Sequence, residues 1–178
     1  MPRSRADTVL SSRALNRALL ERQMLLRRRR MPVLEAVERL VALQAQVPRD
    51  PYVALWSRLD RFRPEALSEA IADRRAVRLT LLRGTLHLAT AGDALALRPV
   101  FQPTIERVLF GSSPLRRAVE SVDLDELLAF FRDLLETEPR TRAELVRAAA
   151  DRWPGVDADS LGYAMYLLPT VQVTPRGL

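Results

Sequence analysis

Residues 76–90 read Ala76-Val77-Arg78-Leu79-Thr80-Leu81-Leu82-Arg83-Gly84-Thr85-Leu86-His87-Leu88-Ala89-Thr90. Val77, Leu79 and Leu81 alternate with Arg78 and Thr80, the period of two expected of a strand with one apolar face. Arg83-Gly84-Thr85 reads as a turn, and Leu86 to Thr90 as the returning strand. What precedes this hairpin has helical spacing instead. Tyr52, Leu55, Trp56 and Leu59 fall at i, i+3, i+4 and i+7, which predicts a helix with that face in the core, Trp56 packed inside it. Pro64 opens a further helix carrying Leu67, Ala70 and Ile71.

Upstream, Ser11 or Ser12 is the expected N-cap of a first helix with Leu15, Ala18, Leu19, Leu25 and Leu26 as its apolar contacts. Arg27-Arg28-Arg29-Arg30 would end it, a solvated run that complements the helix dipole. Residues 1–10 read as a disordered basic arm. Downstream, Thr90 with Asp93 resembles a capping box, and Pro99 and Pro103 are expected to kink or divide the helix that follows. Gly111-Ser112-Ser113-Pro114 is the clearest linker, within a span of 111–122. Asp123 and Glu126 then start a helix with Leu124, Leu127, Leu128, Phe131, Leu134 and Leu135 on one stripe. Thr141-Arg142-Ala143-Glu144 caps the next, with Leu145, Ala148, Ala149 and Trp153. A third, about Ala158 to Leu168, precedes a strand at Val171-Gln172-Val173-Thr174 and a turn at Pro175-Arg176-Gly177. The fold class expected is mainly α with short β-hairpins, built as tandem winged-helix modules. The first covers 11–110 with its following helix. The second covers 123–178 and is truncated in its wing, leaving a lone strand with an unpaired edge.

The 178 residues are 48% apolar and 28% charged, with a formal net charge of +6, ordinary for a soluble globular protein. There are no cysteines, and His87 is the one histidine. Disulfides, thiolate zinc and iron–sulfur clusters are thereby excluded, and histidine-based metal sites disfavoured. No apolar run of membrane-spanning length and no signal-peptide core is present, so the expected compartment is cytoplasmic, with no membrane partner. Residues 1–90 hold 18 arginines against 9 acids, and residues 91–178 hold 10 against 13. All basic residues are arginine, a bias that a GC-rich coding sequence explains. A basic first half also suits a polyanion, though charge alone does not choose between nucleic acid, acidic substrate and anionic membrane.

Gln44 and Gln46 lie in Leu43-Gln44-Ala45-Gln46-Val47-Pro48. Pro32 starts the helix before them, and Val33, Val37, Leu40, Val41 and Gln44 recur at helical spacing, so Gln44 is expected on the inward stripe at the helix end. Pro48 pushes Val47 out of the α region and unwinds the segment. Positions i and i+2 diverge by about 200° in a helix but share a face in extended chain. Two neutral amides therefore converge on one site if the helix ends here. By themselves they read as ordinary capping or core-edge hydrogen bonders.

Gln44-Ala45-Gln46 after an apolar helix, Pro51-Tyr52-Val53-Ala54-Leu55-Trp56-Ser57-Arg58-Leu59, and Leu82-Arg83-Gly84-Thr85-Leu86-His87-Leu88 together resemble the winged-helix DNA glycosylases that excise N7-alkylguanine and unhook interstrand crosslinks. The resemblance runs from about Leu10 to Leu178. It implies the N-terminal portion of such an enzyme, since family members carry further winged-helix sequence and a C-terminal β-barrel. It also implies that Gln44 and Gln46 are the catalytic pair, acting without cofactor or metal on double-stranded, lesion-containing DNA, with the protein a monomer. Arg78, Arg83, Thr85 and His87 on the wing are the expected DNA contacts. On a strand beside Leu86 and Leu88, His87 reads by itself rather as a satisfied structural histidine than as a residue approaching DNA from the wing. Asp50 and Asp60 read as solvated loop or cap residues. No Ser-His-Asp arrangement and no glycine-rich phosphate loop is legible among six glycines. The alternative is a winged-helix DNA-binding protein without catalysis, such as a transcription regulator, which would choose a sequence where the glycosylase would choose an alkylated base. A protein-interaction scaffold is the third reading.

Overall fold

The computed structural model describes residues 9–111, 116–117 and 120–172. Helix α1 (Ser12–Arg22) is N-capped by Ser11, whose hydroxyl accepts the Ala14 N–H at 3.2 Å. It ends five residues before the arginine run, contrary to the sequence expectation. Met24, at φ 54° and 1% exposed, turns the chain inward. Arg29 then runs beside Leu59 in an isolated parallel bridge. The α1 leucines are not core: Leu15 and Leu19 are more than half exposed.

The first unit follows as α2 (Val33–Arg39), β1 (Leu43–Gln44), α3 (Asp50–Arg58), α4 (Pro64–Ala72), β2 (Ala76–Thr80), a 3-10 turn (Leu82–Gly84) and β3 (Leu86–Thr90). Three helices and a hairpin give the winged helix expected, with a short strand between the first two helices that the sequence reading missed. Pro64 at the first turn of α4 fixes a helical φ and needs no N–H partner. Leu67, Ala70 and Ile71 are buried as their spacing predicts. In α3 the buried residues are Pro51 and Leu55, with Leu59 just beyond, while Trp56 is 57% exposed. The expectation of a packed Trp56 is thus overturned. Leu55 faces the core, and a residue one step on is rotated by about 100°. The Trp56 ring lies under the Arg28 guanidinium at 4.6 Å instead.

The sheet has order β1-β3-β2-β4, antiparallel throughout, with β4 at Val171–Gln172. Val77, Leu79, Leu81 and Ala89 pack on Ala94 and partly buried Leu97 and Phe101 of helix α5 (Ala91–Phe110). Leu43, Ala76 and Leu88 join the core of α2, α3 and α4. Both faces are covered, which explains why Thr80 is 8% exposed despite its polar position in the alternation. Pro99 and Pro103 do not divide α5, whose 20 residues run continuously. Both prolines are exposed and four residues apart, so they share the solvent side, where water can satisfy the carbonyls they free.

The second unit comprises α6 (Leu124–Thr137), α7 (Arg142–Arg152), α8 (Ala158–Tyr163) and a 3-10 turn (Ala164–Leu167). Asp123 caps α6, and Thr141 with Glu144 forms the expected capping box on α7. Leu127, Phe131, Leu145, Ala149 and Leu161 form a core that also takes Ile105 and Leu109 from α5. At Gly162 a Cβ would lie 2.5 Å from the Val146 side chain, so the missing side chain sets how closely α8 approaches α7. The last strand does not stand alone: Leu79 pairs with Val171 and Arg78 with Gln172. Buried Arg98 ties the halves together. Its Nη2 donates to the carbonyl oxygens of Leu167 at 3.1 Å and Leu168 at 3.2 Å, and Gln102 donates to the Leu167 oxygen at 3.2 Å. The basic-arm reading at residues 1–8, the linker residues Ser112 to Pro114, and the strand and turn at 173–178 lie outside the described residues.

Candidate active site

Helix α2 ends at Arg39, and Val41, at φ 68°, reverses the chain. A β-branched residue in the left-handed region is strained, so the surrounding packing holds it there. Beyond it Leu43 pairs with Leu88 and Gln44 with His87. Gln44 is therefore on an edge strand, outside the inward helical stripe where the sequence pattern put it. Leu43 and Ala45 are buried, and Gln44 and Gln46 exposed. The alternation presents the two amides on the same side of extended chain.

Arg78 holds this strand in place. Its Nε donates to the Ala45 carbonyl oxygen at 2.8 Å and its Nη2 to that of Gln46 at 3.1 Å, while Nη1 bonds the Gln172 side-chain oxygen. Its planar fork spans three acceptors that a lysine could not reach together. One consequence falls on the ladder. An antiparallel hydrogen-bonded pair exchanges two bonds, and the Ala45 N–H does donate to the Leu86 oxygen at 2.9 Å. The Leu86 N–H goes instead to the Gln46 side-chain oxygen at 3.3 Å. Gln46 is thus oriented by backbone, with one oxygen lone pair and its NH₂ group left over.

The four wing residues separate. Arg83 is exposed at the turn, at φ 55°. Gly84, at φ 72°, sits where a Cβ would come within 3.1 Å of Val108, so the turn is backed by α5. The Thr85 hydroxyl donates to the Leu82 oxygen at 3.1 Å, within the turn. His87 is 4% exposed, with Nδ1 2.9 Å from the Thr85 carbonyl oxygen. Burial pushes its pKa below 6.5, the Thr85 bond opposes this, and the charge of Arg83 adds to the lowering. The ring is therefore neutral at neutral pH, with its proton on Nδ1 toward that carbonyl. Arg83 is the one of the four that offers a free-standing charge to solvent.

Gln46 opens on a cleft of about 680 Å³ whose other polar walls are Thr80, Arg142, Asp159, Tyr163 and Tyr166. Four of these come from α7, α8 and the turn after it, about a hundred residues away. Sequence reasoning missed them. The one available signal was a pair of tyrosines three residues apart, Tyr163 at the end of α8 and Tyr166 in the 3-10 turn after it. Among the described residues no group of three or more His, Cys, Asp or Glu is placed to hold a metal ion, and no helix is long and apolar enough to cross a membrane.

A family model described as DNA glycosylase AlkZ-like matches residues 37–178. This chain belongs to the AlkZ-like DNA glycosylase family. The match takes in both glutamines, the hairpin and the second unit. A solved structure, that of Streptomyces sahachiroi DNA glycosylase AlkZ, is similar at 26% sequence identity and a TM-score of 0.59. The likeness covers 83% of this chain and 41% of that one, so this AlkZ-like chain spans less than half the length of that glycosylase. No protein among the curated ones matches the sequence.

Proposed function

We propose that the protein is a monofunctional DNA glycosylase that hydrolyses the N-glycosidic bond of alkylated DNA, with N7-alkylguanine or its crosslinks as substrate. The observation that carries this reading is the exposed Gln44 and Gln46 pair, Gln44 on the edge strand and Gln46 just beyond it at the wall of a cleft, in a chain that belongs to a glycosylase family. A guanine alkylated at N7 is already cationic. When the bond from C1′ breaks, its electron pair passes to the base and cancels that charge, so no general acid is needed. Water adds to C1′ and releases one proton. What remains is to orient the water and to stabilise an oxocarbenium-like sugar, tasks suited to amide dipoles. Gln44 is free to orient the water, and Gln46 turns its NH₂ toward a phosphate or the partner amide.

Double-stranded DNA is the proposed partner and a monomer the proposed state, with Arg83 at the turn as a phosphate contact. Such contacts position the duplex without reading bases, so binding is salt-sensitive and indifferent to sequence. The cysteine-free composition suits the cytoplasm. The test is to incubate the chain with N7-methylguanine duplex and count abasic sites. Excision by the native chain and none by Gln44→Ala or Gln46→Ala is expected, with duplex affinity kept within a few-fold. Full release by the double variant would end the proposal.

A further inference from the structure

The cleft beside Gln46 already holds a planar cation. The Arg142 guanidinium carbon lies 5.8 Å above the Tyr163 ring, and its Nη2 is 3.1 Å from the Asp159 carboxylate. Tyr166 meets Tyr163 edge to face, with centroids 6.0 Å apart. The cleft volume, about 680 Å³, is within the range of small-molecule sites. The Arg142 and Asp159 side chains are 41% and 75% exposed, and an ion pair this open is weak and easily exchanged. An anion entering here would meet the Asp159 carboxylate. A delocalised cation that displaces Arg142 would meet the negative face of a tyrosine and that same carboxylate.

We propose that this cleft is a subsite for a planar cationic purine. The N7-alkylated base seats its positively charged five-membered ring on Tyr163, with Asp159 balancing the charge, while Arg142 swings out toward the DNA backbone. This rests on the glycosylase reading and names how the lesion is told from normal guanine: by charge. An uncharged base lacks the charge attraction to Asp159 and gains less from the tyrosine face.

The test uses the whole chain with 7-methylguanosine and guanosine as probes, by isothermal titration in slightly acidic buffer that keeps the methylated nucleoside cationic. Preference for the methylated nucleoside of about ten-fold is expected. Tyr163→Leu and Asp159→Asn each remove most of it, while Tyr163→Phe, which keeps the ring face, restores it. Excision from N7-methylguanine duplex is measured on the same proteins. Equal binding of the two nucleosides, or native excision undiminished in Tyr163→Leu and Asp159→Asn, overturns the subsite and leaves the glycosylase reading standing. Selective binding without any excision keeps the subsite and overturns that reading.

Discussion

The Leu86 backbone N–H donates to the side-chain oxygen of Gln46 at 3.3 Å, taking up a ladder position that the Ala45 carbonyl has left for Arg78. A residue proposed for chemistry is therefore also a structural member of the β1–β3 edge. Gln44, opposite His87 in the same ladder, carries no such duty.

The two alanine variants should accordingly part company in stability while agreeing in activity. Gln46→Ala leaves a backbone donor without its partner and is expected to cost about 0.5–1.5 kcal/mol. Gln44→Ala is expected to leave stability within experimental error. Urea unfolding of both measures this, and equal midpoints would show that the Gln46 bond has no weight in solution.

Arg78 in β2 and Arg83 at the turn, both placed on the wing by the sequence, are expected to behave differently. Arg83→Ala removes an exposed charge and should lower the slope of log affinity against log salt by about one unit. Arg78→Ala should leave that slope alone but lose excision and about 1.5–3 kcal/mol of stability. Arg78→Lys should not rescue either, because a point charge cannot span three acceptors. A salt slope reduced in Arg78→Ala would return that residue to the DNA contacts.

His87 gives the fold a pH dependence whose sign is fixed by burial. Its folded pKa lies below the unfolded 6.5, so on acidification the unfolded chain takes up the proton first. The stability this contributes is complete above about pH 6.5 and is lost as pH falls toward the folded pKa. Melting temperature should fall between about pH 7 and pH 5, and His87→Gln should flatten that decline. A parallel decline in the variant would assign the loss to other groups.

Arg98 links α5 to the end of the second unit through the Leu167 and Leu168 carbonyls. Arg98→Met should cost about 1.5–3 kcal/mol for the lost hydrogen bonds to a charged group, while Gln102 still serves the Leu167 oxygen and the Thr170 N–H the Leu168 oxygen. The loss should appear as earlier thermal unfolding with no change in the salt dependence of DNA binding. An unchanged melting temperature would mean that the two units do not depend on this contact.

What the sequence determined alone is the part written in short-range patterns. Thr90, Asp123 and Thr141 each cap a helix through the N–H three residues on. Such a bond lies inside one turn of chain, and its residues announce it. The hairpin at 76–90 was legible because both strands and their turn are contiguous, and the spacing of Leu67, Ala70 and Ile71 named one buried face. The same logic misplaced Trp56, since spacing shows that a stripe exists but not which edge of it meets the core. It also ran α2 through Gln44, because the reversal depends on Val41 being held against its preference.

The tertiary structure decided what joins distant residues. Arg78 meets Gln172 across 94 positions, β4 closes onto β2, and Tyr163 and Tyr166 reach the cleft of Gln46. No local period encodes these meetings. They follow from burying two apolar cores against a shared helix, α5, which carries the second unit back to the edge of the first one's sheet.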